Sequence, residues 1–332
     1  MMILCRIFFD TFVSLNLNFT LNSLLKGALF VGLGASSYGM LATFVKLAYE
    51  QNFTTAEVTV SQYVFALIFM IGLNRFIQKK HSQTATKKEV QQLVVSGTSM
   101  GFTSVLYYLS VKYLNASIAV VLLMQSVWIG VLLEILMKKA KISWLKITAV
   151  LFVLLGTVLA TNLLKNELIF DLKGYLFGFL AAISFSITLF STNSVAKHLH
   201  PYKRSLFMLY GGAIIVGIFA FSTQILPAYF QVELVPEDFI SNKPFDFSIL
   251  YTWGILLSVF GTILPPILLN KGFPLVGVGL GSIVSALELP VSVSFAYLIL
   301  NEQVVFSQWM GILIILGAIL MINWNLVLKK RP

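Results

Sequence analysis

The chain has 332 residues, 58% of them hydrophobic and 11% charged, with a mean hydropathy of +0.89. A soluble domain is usually about 45–50% apolar and about 25% charged, so these side chains cannot coat a water-facing surface, and the chain is far too apolar for disorder. One cysteine, Cys5, excludes a disulfide framework or a cysteine-based zinc site, and in so apolar a chain the net charge of +10 marks membrane orientation rather than nucleic-acid binding.

Residues 1–23 are expected to be an interfacial or disordered leader. Arg6 precedes an apolar stretch that Asp10 interrupts, too broken for the core of a secretory signal. Ten apolar runs of spanning length follow. They begin near Leu24, Glu57, Gln92, Ser117, Ile142, Gly174, Ser205, Ser248, Leu275 and Gln308. None alternates with period two, which excludes barrel strands. With the N-terminus inside, 18 of the 23 basic residues fall on inner segments and nine of the 13 acids on outer ones. This segregation follows the positive-inside rule and predicts an even helix count with both termini cytoplasmic.

Lys26–Ser37 at the head of the first run matches Lys173–Ser184 at the head of the sixth, with seven of 12 positions identical at an offset of 147. Five helices per half is an odd number, so the second half must enter the membrane inverted, an arrangement typical of transporters. The expected fold is all-α and integral to the membrane, with ten transmembrane helices as two inverted five-helix repeats, residues 24–165 and 173–330.

Polar residues stand out along these helices. The second run carries Gln62. In the third, Ser96, Ser99, Thr103, Tyr107 and Ser110 recur at spacings of three and four, on one face. Small hydroxyls are also ordinary glue between membrane helices, whereas Tyr107 is too large for close packing and suits a cavity better. In the fourth run, Gln125 and Ser126 suit either a substrate contact or an interhelical hydrogen bond. Glu134 near the inner surface has Lys138 four residues on, an interfacial ion pair. The sixth run repeats the polar spacing with Ser184, Thr188 and Ser191, and the eighth has Ser258 and Thr262. Pro265-Pro266 should kink or break the eighth helix, as a gate or as passive shape. Gly277, Gly279 and Gly281 have no strand before them, so they read as close contact or flexibility where the ninth helix begins, not as a nucleotide loop.

Glu288 lies near the middle of the ninth run, on a stripe with Ser282, Ser285 and Ser292. An acid at membrane depth usually faces a cavity or a partner. It is either a coupling carboxylate, at which a polar or cationic substrate competes with a proton, or a structural group bonded to a neighbouring helix or to backbone freed by Pro290. The candidate binding set is therefore Glu288, Gln125, Ser126, Tyr107, Thr103, Ser285, Thr188 and Gln62, with Pro265, Pro266 and Pro290 as candidate gates. His81, His198 and His200 lie in basic loops without a ligand cluster, so no metal or other cofactor is expected. No nucleophile elbow, P-loop or zinc-protease motif is present, so no enzyme is expected.

The second half carries Glu288-Leu289-Pro290, then Leu300-Asn301-Glu302-Gln303, then Gly311 and Gly317. With ten helices in two halves, this resembles the EamA-like transporters of the drug/metabolite transporter superfamily. That pattern has a proline early in the ninth helix, a Gly-Glu pair at its end and glycines in the tenth. Asn301 replaces the usual Gly, and the first half has Ser126-Val127 and Lys138-Lys139 at the corresponding positions. The resemblance implies a secondary transporter of the inner (plasma) membrane, exporting small metabolites such as amino acids. Its partners would be the lipid bilayer, the metabolite and, if Glu288 couples, protons, in a monomer or homodimer without nucleic acid. An uncoupled facilitator and a non-transporting scaffold or receptor are the alternatives.

Overall fold

The structure, a computed structural model, describes residues 23–78, 85–114, 116–138, 144–160, 171–300 and 304–328. The leader up to residue 22, the basic tail Lys329–Arg331, the Asn301-Glu302-Gln303 motif, Lys139 and His81 lie outside the described residues. Within them, the regular elements are all helical: α1 (Ser23–Glu50), α2 (Thr55–Gln78), α3 (Lys87–Tyr113), α4 (Ala116–Leu123), α5 (Ser126–Lys138), α6 (Trp144–Ala160), α7 (Leu172–Ser194) and α8 (Pro201–Ala220). The α8 helix runs on as a π-helical stretch, Phe221–Phe230. Beyond a loop come α9 (Ile255–Ser258), α10 (Leu264–Val276), α11 (Val278–Ser285), α12 (Glu288–Leu300) and α13 (Phe306–Leu328).

Helix starts follow local chemistry. At α2 the Glu57 N–H donates to Thr54 Oγ1 (3.1 Å) and the Thr54 N–H to Glu57 Oε2 (2.7 Å), a capping box. Thr86 and Glu89 form a second box at α3, and Asp171 accepts from the first N–H groups of α7. Pro201 occupies the first turn of α8, where its missing donor is harmless. Seven described stretches are long and apolar enough to cross a membrane: α1, α2, α4–α5, α7, α8 with its extension, Leu250–Val276 and α11–α12. The third, fifth and tenth sequence runs correspond to α3, which opens on Lys87, Lys88 and Glu89, and to the shorter apolar helices Trp144–Ala160 and Phe306–Met321.

Packing relates the two halves. α1 lies on α10, and its repeat counterpart α7 lies on α3. α1 also packs on α12, as α7 does on α4 and α5. Equivalent helices meet each other directly in α2–α8 and α6–α13, and the fourth and ninth runs meet through α5 and α11. At the level of the runs these contacts are kept when the halves are exchanged, as a two-repeat sequence requires. Where α3 crosses α8, a Cβ on Gly97 would overlap the Met208 carbonyl, and one on Gly211 the Val94 carbonyl. Only glycine allows this approach.

The fourth and ninth runs are both discontinuous. The chain turns at Met124–Gln125 and again at Ala286–Leu287, so Glu288 opens α12 rather than sitting inside a continuous helix. Pro290 has no N–H for the Ala286 carbonyl, which accepts instead from the Leu289 N–H (3.2 Å). In the first half, the Val127 N–H donates to the Met124 carbonyl (3.0 Å), the same tightened turn without a proline. The eighth span behaves differently from the expected kink or break. Pro265 and Pro266 fall in the first turn of α10, where a π-helical stretch (Val259–Ile263) hands over to α-helix, so the helical pitch changes and the span continues. Gly277 alone joins α10 to α11, at φ 81°.

Candidate functional site

The hydroxyl stripes of α3 and α7 meet each other. Ser99 and Thr188 hydroxyls are hydrogen-bonded at 2.7 Å, Ser184 Oγ donates to the Ser99 carbonyl (2.7 Å), and Ser110 Oγ donates to the Gly174 carbonyl (2.9 Å). Most of both stripes is thus helix glue. Between the halves lies a cavity of about 50 Å³.

Of the candidate binding residues, Gln62, Thr103, Tyr107, Thr188 and Glu288 line this cavity together. Thr103 Oγ1 donates to the Ser99 carbonyl (2.8 Å), and the Tyr108 hydroxyl donates to Gln62 Oε1 (2.8 Å). Glu288 is 6% exposed, and its Oε2 is buried without a hydrogen-bond partner. Gln125, Ser126 and Ser285 are not in the lining. Gln125 is satisfied locally, its Nε2 donating to the Val121 carbonyl (3.0 Å) and its Oε1 accepting from Trp128 Nε1 (2.8 Å). The Ser126 carbonyl accepts from Ser186 Oγ (3.3 Å), and Ser285 Oγ donates to the Gly281 carbonyl (3.0 Å). Pro290 stands two residues from Glu288 at the helix break, whereas Pro265 and Pro266 are buried in α10.

Sequence reasoning missed the aromatic wall. Tyr38, Tyr108 and Phe185 line the cavity beside Tyr107. Tyr38 and Phe185 pack edge to face with centroids 5.8 Å apart. They stand one residue beyond the matched Lys26–Ser37 and Lys173–Ser184 segments, so they are repeat equivalents that meet each other. Extending the repeat by one position would have found both.

Both ends of the helical bundle carry polar networks. At the end covered by the 231–249 loop, Glu57 is fully buried. Its Oε1 accepts from Gln224 Nε2 (2.9 Å) and from the Asp246 N–H (2.8 Å), with Lys243 Nζ 3.8 Å from Oε2. The same loop is also tied by Asp238, whose carboxylate pairs with Lys173 and whose carbonyl accepts from Lys112 Nζ (2.9 Å). The Lys173 ammonium holds the Asp238 carboxyl below the usual carboxylate range, and the Ser248 side chain and N–H do the same for Asp246. Beneath this loop lies a second cavity of about 450 Å³, with Tyr49, Thr54, Thr223 and Phe239 among its walls.

At the opposite end Arg204, counted by sequence among the loop cations, is 1% exposed. Its guanidinium donates to the Val195 carbonyl (3.2 Å), the Asn270 carbonyl (3.0 Å) and the Thr192 carbonyl, pinning the end of α7 to α10. Glu134 pairs with Lys146 of α6 (2.6 Å), and this pair lies against Gly279 at the start of α11. The pairing expected with Lys138 lies outside the described residues, which include no Lys138 side chain.

A structure of a protein 12% identical in sequence superposes with a TM-score of 0.68, over 94% of this chain and 99% of that one, and so shares its fold. No curated protein matches. The family model of the EamA-like transporter family matches residues 25–162 and 172–324, one match to each half. With two matched halves, a shared cavity and seven membrane-length helices, the chain belongs to the EamA-like transporter family.

Proposed function

We infer that the chain is a secondary transporter, moving small polar metabolites by alternating access around the cavity between its halves. Amino acids and related compounds are the expected class, export the expected direction and the inner (plasma) membrane the site. The arrangement is ten spanning helices in two inverted five-helix halves, with both termini in the cytoplasm. The observation that carries this reading is Glu288: a buried carboxylate with an unpaired oxygen, beside a helix break, in a cavity lined by both repeats. Membrane ionisable groups so placed commonly serve ion or substrate pathways, and discontinuous helices commonly flank transporter sites. Glu288 alternately holds a proton and the cargo, which couples the two.

The test is solute accumulation in proteoliposomes under an imposed pH gradient, with wild type beside Glu288→Gln. Wild type is expected to accumulate solute against its gradient, and Glu288→Gln to equilibrate without accumulating. Accumulation by the variant would show that coupling does not run through Glu288.

A further inference from the structure

The cavity walls distinguish between kinds of metabolite. Four aromatic rings, Tyr38, Tyr107, Tyr108 and Phe185, surround the space that Glu288 faces, with Tyr107 and Tyr108 centroids 5.9 Å apart. Ring faces attract organic cations, more strongly when both are shielded from water. The hydroxyls of Thr103 and Tyr108 spend their protons on Ser99 and Gln62, so lone pairs are what they offer a ligand. Glu288 Oε2 adds an unpaired acceptor. Among the described residues, no Lys, Arg or His lines the cavity. A carboxylate brought in on a zwitterion would find no cation in that lining and would meet Glu288 at close range, a like-charge encounter in a low-dielectric setting. An ammonium group meets favourable partners in the rings, these lone pairs and Glu288. The volume agrees: about 50 Å³ exceeds the roughly 10–15 Å³ that one water needs on the same measure, enough for an ammonium head, and the rest of the solute enters as the walls part.

We propose that the preferred cargo is an organic amine cation, its ammonium head held between these aromatic rings and the Glu288 carboxylate, and that zwitterionic amino acids are discriminated against. This rests on the transport reading above and narrows its substrate class to solutes with a positive head and no carboxylate.

Matched pairs that differ by a carboxylate test it: tyramine against tyrosine, agmatine against arginine, and choline against glycine betaine. Each is measured by counterflow in proteoliposomes containing the full chain. In at least one pair the amine is expected to exchange roughly tenfold faster than its carboxylated partner, the scale of a single charge-assisted hydrogen bond in a buried site. Glu288→Gln should abolish that preference, and Tyr107→Leu should weaken amine exchange several-fold. Tyr107→Leu serves as the second probe if the Gln variant is poorly folded. Exchange of every carboxylated partner at a rate equal to or above its amine, or of other solutes without any amine, would overturn the cation assignment and leave transport standing. A chain that exchanges nothing across a broad metabolite panel would overturn the transport reading and this inference with it.

Discussion

Three charged side chains are buried among the described residues, and each is satisfied differently. Glu57 is fully paired, by a capping box below and by Gln224 and the Asp246 N–H across the loop-covered end. Arg204 is fully used as a donor to three carbonyls, which gives it a structural role. Arg204→Met should leave those carbonyls unpaired and lower stability by about 3 kcal/mol, seen as a lower thermal midpoint in detergent. Of the three, Glu288 alone keeps an unpaired oxygen, so Glu288→Gln should leave the thermal midpoint nearly unchanged while altering transport. An equal loss of stability in both variants would make Glu288 another structural group.

At the scale of elements, the glycine crossings and the helix breaks carry separate expectations. Gly97→Ala would drive a methyl into the Met208 carbonyl, whereas a Cβ at Gly217 meets nothing within 4 Å. The first should destabilise by about 1–3 kcal/mol and the second should be tolerated, as thermal midpoints of the two variants would reveal. Pro290→Ala supplies an N–H at the helical i−4 spacing for the Ala286 carbonyl, which now accepts from Leu289. It should straighten the join of α11 and α12, raising the thermal midpoint while slowing solute exchange. The apolar runs and the repeat are legible in the sequence because length, composition and self-similarity are one-dimensional signals. Gln125 and Glu288 show the limit. Both stand at a helix break, Gln125 in the turn before α5 and Glu288 at the start of α12, yet one side chain turns back to its own helix and the other lines the cavity. Spacing at 3.6 residues per turn cannot give that, because the helices break just where the direction is decided. Glu134 is a second case: its partner Lys146 comes from the next helix, beyond the reach of an i,i+4 rule.

Across the whole molecule, the halves enclose a small cavity, with a tied loop over one end and a pinned α7–α10 contact at the other. The tied loop should respond to acid. The Asp238 carboxyl is held low by Lys173, so its contribution is present above the ordinary carboxylate range of about 4 and is lost as pH falls through its depressed value. Protection of residues 237–246 against hydrogen exchange, relative to the intrinsic rate at each pH, should therefore fall at acid pH in wild type and be low already at neutral pH in Asp238→Asn. The central claim is that one cavity between the halves is reached in turn from each side of the membrane. Cys5 is the only native cysteine, so Thr103→Cys in a Cys5→Ser background places one thiol at that cavity. Labelling of this thiol by a membrane-impermeant maleimide, applied to right-side-out and to inverted vesicles, tests the claim directly. Alternating access predicts labelling from both sides and protection by transported solute; labelling from one side alone, or none from either, would contradict it.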